Sequence, residues 1–144
     1  MRVPAVVSAG RLDNIMLPLA AAQTFKTGAL VLRDGSANIA ECGADPAVIY
    51  GVAEEPAGKE PVDAVNKIIV TRATEQTRWW FPTSAAPTSA NSGVNYGVTK
   101  DADGIWYVDF TKTGGTARVY VHQVDTDTNR VEVSVLAANR QPAP

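Results

Sequence analysis

From residue 96 onward, apolar and polar side chains alternate in short runs broken by turn-forming clusters. Val131, Val133 and Val135 fall on one side of an extended chain, with Arg130, Glu132 and Ser134 on the other. A period of two with one apolar face predicts a half-buried β-strand. The preceding run alternates likewise, with Val119 and Val121 opposed to Tyr120 and His122. The polar stretch Asp125–Asn129 between them is short, which predicts an antiparallel hairpin. Upstream, residues 96–110 are rich in aromatic and β-branched residues around an Asp-Ala-Asp-Gly turn signal at 101–104.

The first half carries the same punctuation. Residues 29–33 form a short apolar run, and Asp34-Gly35 predicts a hairpin turn because glycine accepts a positive φ cheaply. Residues 36–41 return as a second strand, and Pro46 marks a second turn before a third strand over 47–53. Gly51 inside that strand predicts a bulge or a close backbone approach. Residues 65–77 form the longest β-prone run, centred on Ile68, Ile69 and Val70, and lead into Trp79, Trp80 and Phe81. Residues 83–92, rich in Ser, Thr and Ala, read as a mobile surface loop.

Residues 1–25 differ from the rest. Ala and Leu are plentiful, Pro4 and Pro18 break any helix, and no period persists. This predicts an extended N-terminal arm. Its apolar residues Val6, Val7, Leu12, Ile15, Met16 and Leu17 are too many for a free disordered tail. The arm must bury itself on its own body, on a sister subunit or on another protein. In the latter two cases, deleting residues 2–20 would leave a folded body. Residues 26–138 then form a single β-rich body, and 139–144 a flexible tail. Many short strands, frequent turns and no sustained helical period indicate an all-β fold, a small antiparallel β-sandwich or barrel of jelly-roll-like type.

Length and composition narrow the function classes. With 144 residues the chain fits one domain. A single cysteine, Cys42, rules out an internal disulfide and suits a reducing compartment. Net charge is -2, and no Lys/Arg cluster appears, which argues against duplex nucleic acid as a partner. No apolar stretch is long enough for a membrane span. The first residues resemble a weak signal peptide, but their apolar region is short and Pro4 interrupts it.

Candidate chemistry is sparse. His122 is the single histidine, with Ser134 and Asp109 as conceivable triad partners, yet no nucleophile elbow is present. One His and one Cys at unrelated positions make a poor zinc site. Asp101 and Asp103 begin like a calcium loop, but the later ligands are missing and a turn explains them better. No cofactor is expected. The carboxylate pairs Glu54/Glu55 and Asp125/Asp127 lie in expected loops, where solvated charge is the default.

The aromatic residues are more informative. Trp79 and Trp80 are adjacent on a strand and point to opposite faces, so both cannot enter one single-sided core. One belongs at a rim, a ligand platform or a subunit contact. Trp79, Trp80, Phe81 and Trp106 are therefore candidate partner-binding residues, together with the apolar residues of the arm.

Two stretches carry a family resemblance. The first runs from Phe25 through Asp34-Gly35 and Cys42-Gly-Ala-Asp-Pro to Ile49-Tyr-Gly-Val-Ala. The second runs from Val94-Asn-Tyr-Gly-Val through Ile105-Trp-Tyr-Val-Asp to Val131-Glu-Val-Ser-Val-Leu. Over residues 25–137 this pattern of turns and strands resembles the head decoration, or cement, proteins of tailed bacteriophages. The arm has no counterpart in the pattern. The resemblance implies a non-enzymatic protein on the outer surface of an icosahedral phage head, made in the host bacterial cytoplasm. Its partners would be the major capsid protein and itself, as a dimer or trimer, with no direct contact to nucleic acid or membrane. The alternative is a carbohydrate-binding β-sandwich on a virion or cell surface, using Trp79 or Trp106 as a platform.

Overall fold

The computed structural model describes residues 2–8, 14–58 and 67–142. Among these, the strands are β1 (Val6–Val7), β2 (Asn14–Pro18), β3 (Leu30–Arg33), β4 (Ile39–Glu41), β5 (Gly51–Ala53), β6 (Lys67–Arg72), β7 (Trp79–Pro82), β8 (Asn95–Lys100), β9 (Trp106–Asp109), β10 (Val119–Asp125) and β11 (Arg130–Val135). They build two antiparallel sheets, ordered β1-β7-β11-β10-β8-β9 and β2-β6-β5-β3-β4. The expected all-β class is observed. Apart from β1, the sheets divide the chain by sequence, the first half in one and the second half in the other. Both sheets curl. Leu19, just past β2, bridges Ile39 at the far edge of its own sheet, and Thr83, just past β7, bridges Val108 in β9.

Alternation decides what each sheet buries. Val31, Val52, Ile68 and Val70 from one sheet meet Trp79, Phe81, Val108, Val121, Val131 and Val133 from the other in a single core. All ten are at most 1% exposed. The expected hairpin at 125–129 closes β10 onto β11. Asp125 Oδ1 accepts from the Asp127 and Thr128 N–H groups, and Asn129 takes a positive φ of 53°. The expected hairpin after β3 also forms, with β3 antiparallel to β4, but its turn is held differently. Asp34 N–H bonds to the Asn38 carbonyl, and the residue with positive φ is Ala37, at 64°, rather than Gly35. Asp34 Oδ1 accepts from both Ser36 and Asn38 N–H, and this side-chain clamp holds the turn that glycine was expected to provide.

The run over 65–77 gives a shorter strand than its composition suggests. β6 ends at Arg72, and Thr74 and Thr77 then close a turn through a 2.7 Å hydroxyl–hydroxyl bond. Residues 65 and 66 lie outside the described residues. Gly51 makes the close approach anticipated for it, since a Cβ there would overlap the Thr71 carbonyl oxygen. Gly51→Ala must spread β5 from β6, so it should cost about 3 kcal/mol, at the upper end of overpacking. A urea midpoint shift under about a third of that would show that the strands yield easily.

The described residues of the N-terminal arm are extended and lie on their own body, whereas the C-terminal segment departs from the expected tail. β1 pairs with β7 and β2 with β6, each as the outer strand of its sheet. Of the three surfaces open to the arm, its described residues use their own body. Ala5 is buried against Gly28, which has a φ of 87° and no room for a side chain. At the other end, residues 137–141 are bonded to the first-half sheet rather than frayed. Ile49 N–H bonds to the Asn139 carbonyl, and the Gln141 side chain bonds both the N–H and the carbonyl of Arg33. A carboxamide that satisfies both groups of one extended residue acts as a short extra strand. Residues 83–92 are likewise bonded, with Ser84 N–H to the Val108 carbonyl and Ser92 Oγ to the His122 carbonyl.

Candidate interaction surface

The outward face of the six-stranded sheet collects the functional candidates. Strand register places Val6, Trp80 and Glu132 in one row across β1, β7 and β11, opposite in sense to the core row Val7, Trp79 and Val133. Trp79 is 0% exposed and Trp80 half-buried, so the adjacent pair does divide between core and surface. The Arg130 guanidinium lies 5.9 Å from the Trp80 ring centre. Val6 beside it is 43% exposed.

Glu132 is the unexpected member of the row. Alternation puts it outward, yet it is only 2% exposed. The N-terminal strap covers it, with Ser8 Oγ bonded to Oε2 and Arg78 Nη1 3.3 Å from Oε1. A carboxylate removed from water needs such partners. The strap is fixed at its other end by Arg2. Its guanidinium bonds Asp101 at 3.1 Å, bonds the Thr83 carbonyl and stacks 3.9 Å over the Tyr107 ring. An open groove of about 570 Å³ lies beside it, lined by Arg2, Val3, Thr83, Asp103, Asn129 and Arg130.

On the same face a bulge in β10 between Val121 and Gln123 re-aims His122. Its Nε2 lies 2.8 Å from Ser134 Oγ, and the ring meets Tyr120 edge-on at 4.8 Å. The structure thus joins two of the three conceivable triad members. Asp109 is not brought to them. It sits in β9, two strands from β10, where Thr99 Oγ1 and Thr111 Oγ1 bond it. Burial pushes the Asp109 carboxyl up, but the Thr111 and Thr99 bonds outweigh this and hold it below its usual value. Glu132 directs its oxygens to Ser8 and Arg78 instead of to the imidazole. Cys42 is buried in the other part of the core, and burial and the Glu41 charge push its thiol up to about 12. Asp101 caps its own turn, accepting the Asp103 and Ile105 N–H groups through Oδ1.

The partner-binding candidates separate by burial. Val6, Ile15 and Met16 are 43%, 40% and 50% exposed, and Val7 and Trp80 are half-buried. Leu12 lies outside the described residues. Leu17, Trp79, Phe81 and Trp106 belong to the core and present no surface to a partner. Leu17 faces Ile68 across β2 and β6, and Trp106 bridges the sheets through Nε1, 3.0 Å from Glu41 Oε2. Trp106 was readable as a free platform only because its core role depends on that remote carboxylate. The strap cluster of Arg2, Ser8, Arg78 and Glu132 had no local signal, since nothing near Glu132 in sequence announces what covers it.

No protein-family model matches this chain, and no curated protein matches it. Among the described residues, no helix is long and apolar enough to cross a membrane.

His122 makes the surface pH-sensitive. Burial disfavours its charged form and the Arg78 charge adds to this; the Glu132 charge opposes both, and the net pKa lies below the ordinary value. The unfolded chain gains this proton as pH falls through about 6.5. The folded protein gains it only at lower pH, so the stabilisation is complete above 6.5 and is lost as pH falls through the folded value. The loss should be under about 1 kcal/mol, because solvent screens a ring this exposed. His122→Gln should remove that part of the pH slope in urea titrations, and an unchanged slope would refute the assignment.

Proposed function

We propose that this protein is a non-enzymatic structural component that decorates the outer surface of an icosahedral phage head and fastens neighbouring major capsid subunits. The reading rests on the resemblance over residues 25–137. The structural observation that carries it furthest is the distribution of exposed apolar side chains. Among the described residues, four of the six large ones (Val3, Val6, Ile15, Met16, Val48 and Tyr120) lie between positions 3 and 16, three of them on the outer strands β1 and β2 and Val3 just before β1. A lone monomer has little reason to concentrate them there. A shell contact made by strap and sheet face together gains from multivalency.

A fastening role predicts a mechanical result. Heads that carry the protein should retain their DNA on heating to a temperature at which bare heads release it. Equal release from both would contradict fastening, even if binding occurred. The carbohydrate alternative keeps only Trp80 as a platform, because Trp79 and Trp106 are enclosed. Binding to a glycan array that Trp80→Ala abolishes, with no binding to heads, would favour it.

A further inference from the structure

We infer that β2 is a self-association edge, on which two copies of this chain pair antiparallel about a two-fold axis at Ile15. The backbone of β6 fixes which groups β2 leaves free. Ile69 accepts from Glu54 N–H and donates to Glu55 Oε2, so its backbone faces away from β2. Its partner Met16 therefore sits in a non-bonded pair and turns its own N–H and carbonyl outward. Asn14, two residues earlier, does the same. At the other end the edge is closed. Pro18 has no N–H, and Leu19 is bridged to Ile39. Among the described residues, the free edge is thus two donors and two acceptors, placed symmetrically about Ile15.

A second copy of the strand matches this set completely. With Ile15 opposite Ile15, Asn14 of each chain exchanges both bonds with Met16 of the other. All four outward groups of each copy are then used, which no register centred on another described residue of β2 achieves. The side chains agree with the backbone. Residues 14–19 carry no charge, so identical strands do not repel, and the one guard against edge pairing in β2, Pro18, lies at its closed end and leaves Asn14–Met16 unguarded. Ile15 is 40% exposed although it sits opposite the buried Val70, so the core is open at this edge. A second strand would cover Ile15 on the core side and Met16, 50% exposed, on the other. One strand pair buries less than the about 1,200 Å² typical of stable interfaces, so the association is reversible with dilution. It does not depend on binding a phage head and is read on the protein alone.

Sedimentation velocity of the full chain over a concentration series tests this. The wild type should show a monomer–dimer equilibrium, and Ile15→Lys should weaken it at least about tenfold, because two ammonium groups then meet where Cα atoms are about 4.5 Å apart. Ile15→Glu should do the same alone, and an equal mixture of the two variants should recover the dimer. That recovery excludes misfolding as the cause. Ile15→Cys should cross-link on mild oxidation far faster than Val48→Cys, a similarly exposed control at 42%. Buried Cys42 contributes nothing in either. A wild type that stays monomeric, charged variants that associate as the wild type does, a mixture that stays monomeric, or cross-linking no faster than the control would each overturn the inference.

Discussion

Removing residues 2–20 is expected to destabilise the body by about 4 kcal/mol or more, rather than trim a dispensable arm. Leu17 is 8% exposed in the core, and its burial alone is worth about 1.5–3 kcal/mol. Ala5 closes the space over Gly28, and its loss exposes that backbone. The deletion also uncovers β6 and β7, which become outer strands with unpaired N–H and carbonyl groups. Glu132 loses Ser8 and the strap over it, leaving a carboxylate with Arg78 as its partner. Urea titration of the truncated protein would show the result as a lowered midpoint. A midpoint within about 1 kcal/mol of wild type would mean that the strap lies on the body without supporting it.

Trp79→Ala and Trp80→Ala should separate stability from binding. Trp79 is 0% exposed, and its removal should cost about 3–5 kcal/mol, near the whole margin of many domains. Trp80 is half-buried between Val6 and Glu132, and its truncation should cost about 1 kcal/mol. If the outward face is the shell contact, Trp80→Ala should nevertheless weaken binding by about 2 kcal/mol or more, as a central aromatic anchor does. Thermal melts and a binding isotherm on the same preparations read both. Equal losses of stability would show that the two faces of β7 are not core and surface. Unimpaired binding by Trp80→Ala would move the contact elsewhere.

The strands were legible where one period dominated. Residues 119–125 and 130–135 alternate, and they form the hairpin that alternation implies. The split of Trp79 from Trp80 followed from the same geometry. What stayed hidden depended on distant partners. Residues 1–25 have no period because β1 and β2 are short outer strands of two different sheets, each matched to a partner strand far along the chain. Residues 137–141 look like a polar tail, yet the Gln141 carboxamide completes the backbone bonding of Arg33. The burial of Glu132, on the face that alternation gives it, and of Trp106 has one common cause. Each is a side chain whose burial is made tolerable by polar groups remote in sequence, Ser8 and Arg78 for Glu132 and Glu41 for Trp106. The Asp34 turn shows the reverse case, in which a local side-chain clamp replaced the glycine signal.

Co-sedimentation with undecorated phage heads, expanded and unexpanded, tests the proposed role most directly. A decorating protein should pellet saturably at a fixed ratio to the major shell protein, and Trp80→Ala should reduce the pelleting. Absence of pelleting with the cognate shell in either state would contradict the decoration role and bring the carbohydrate reading forward.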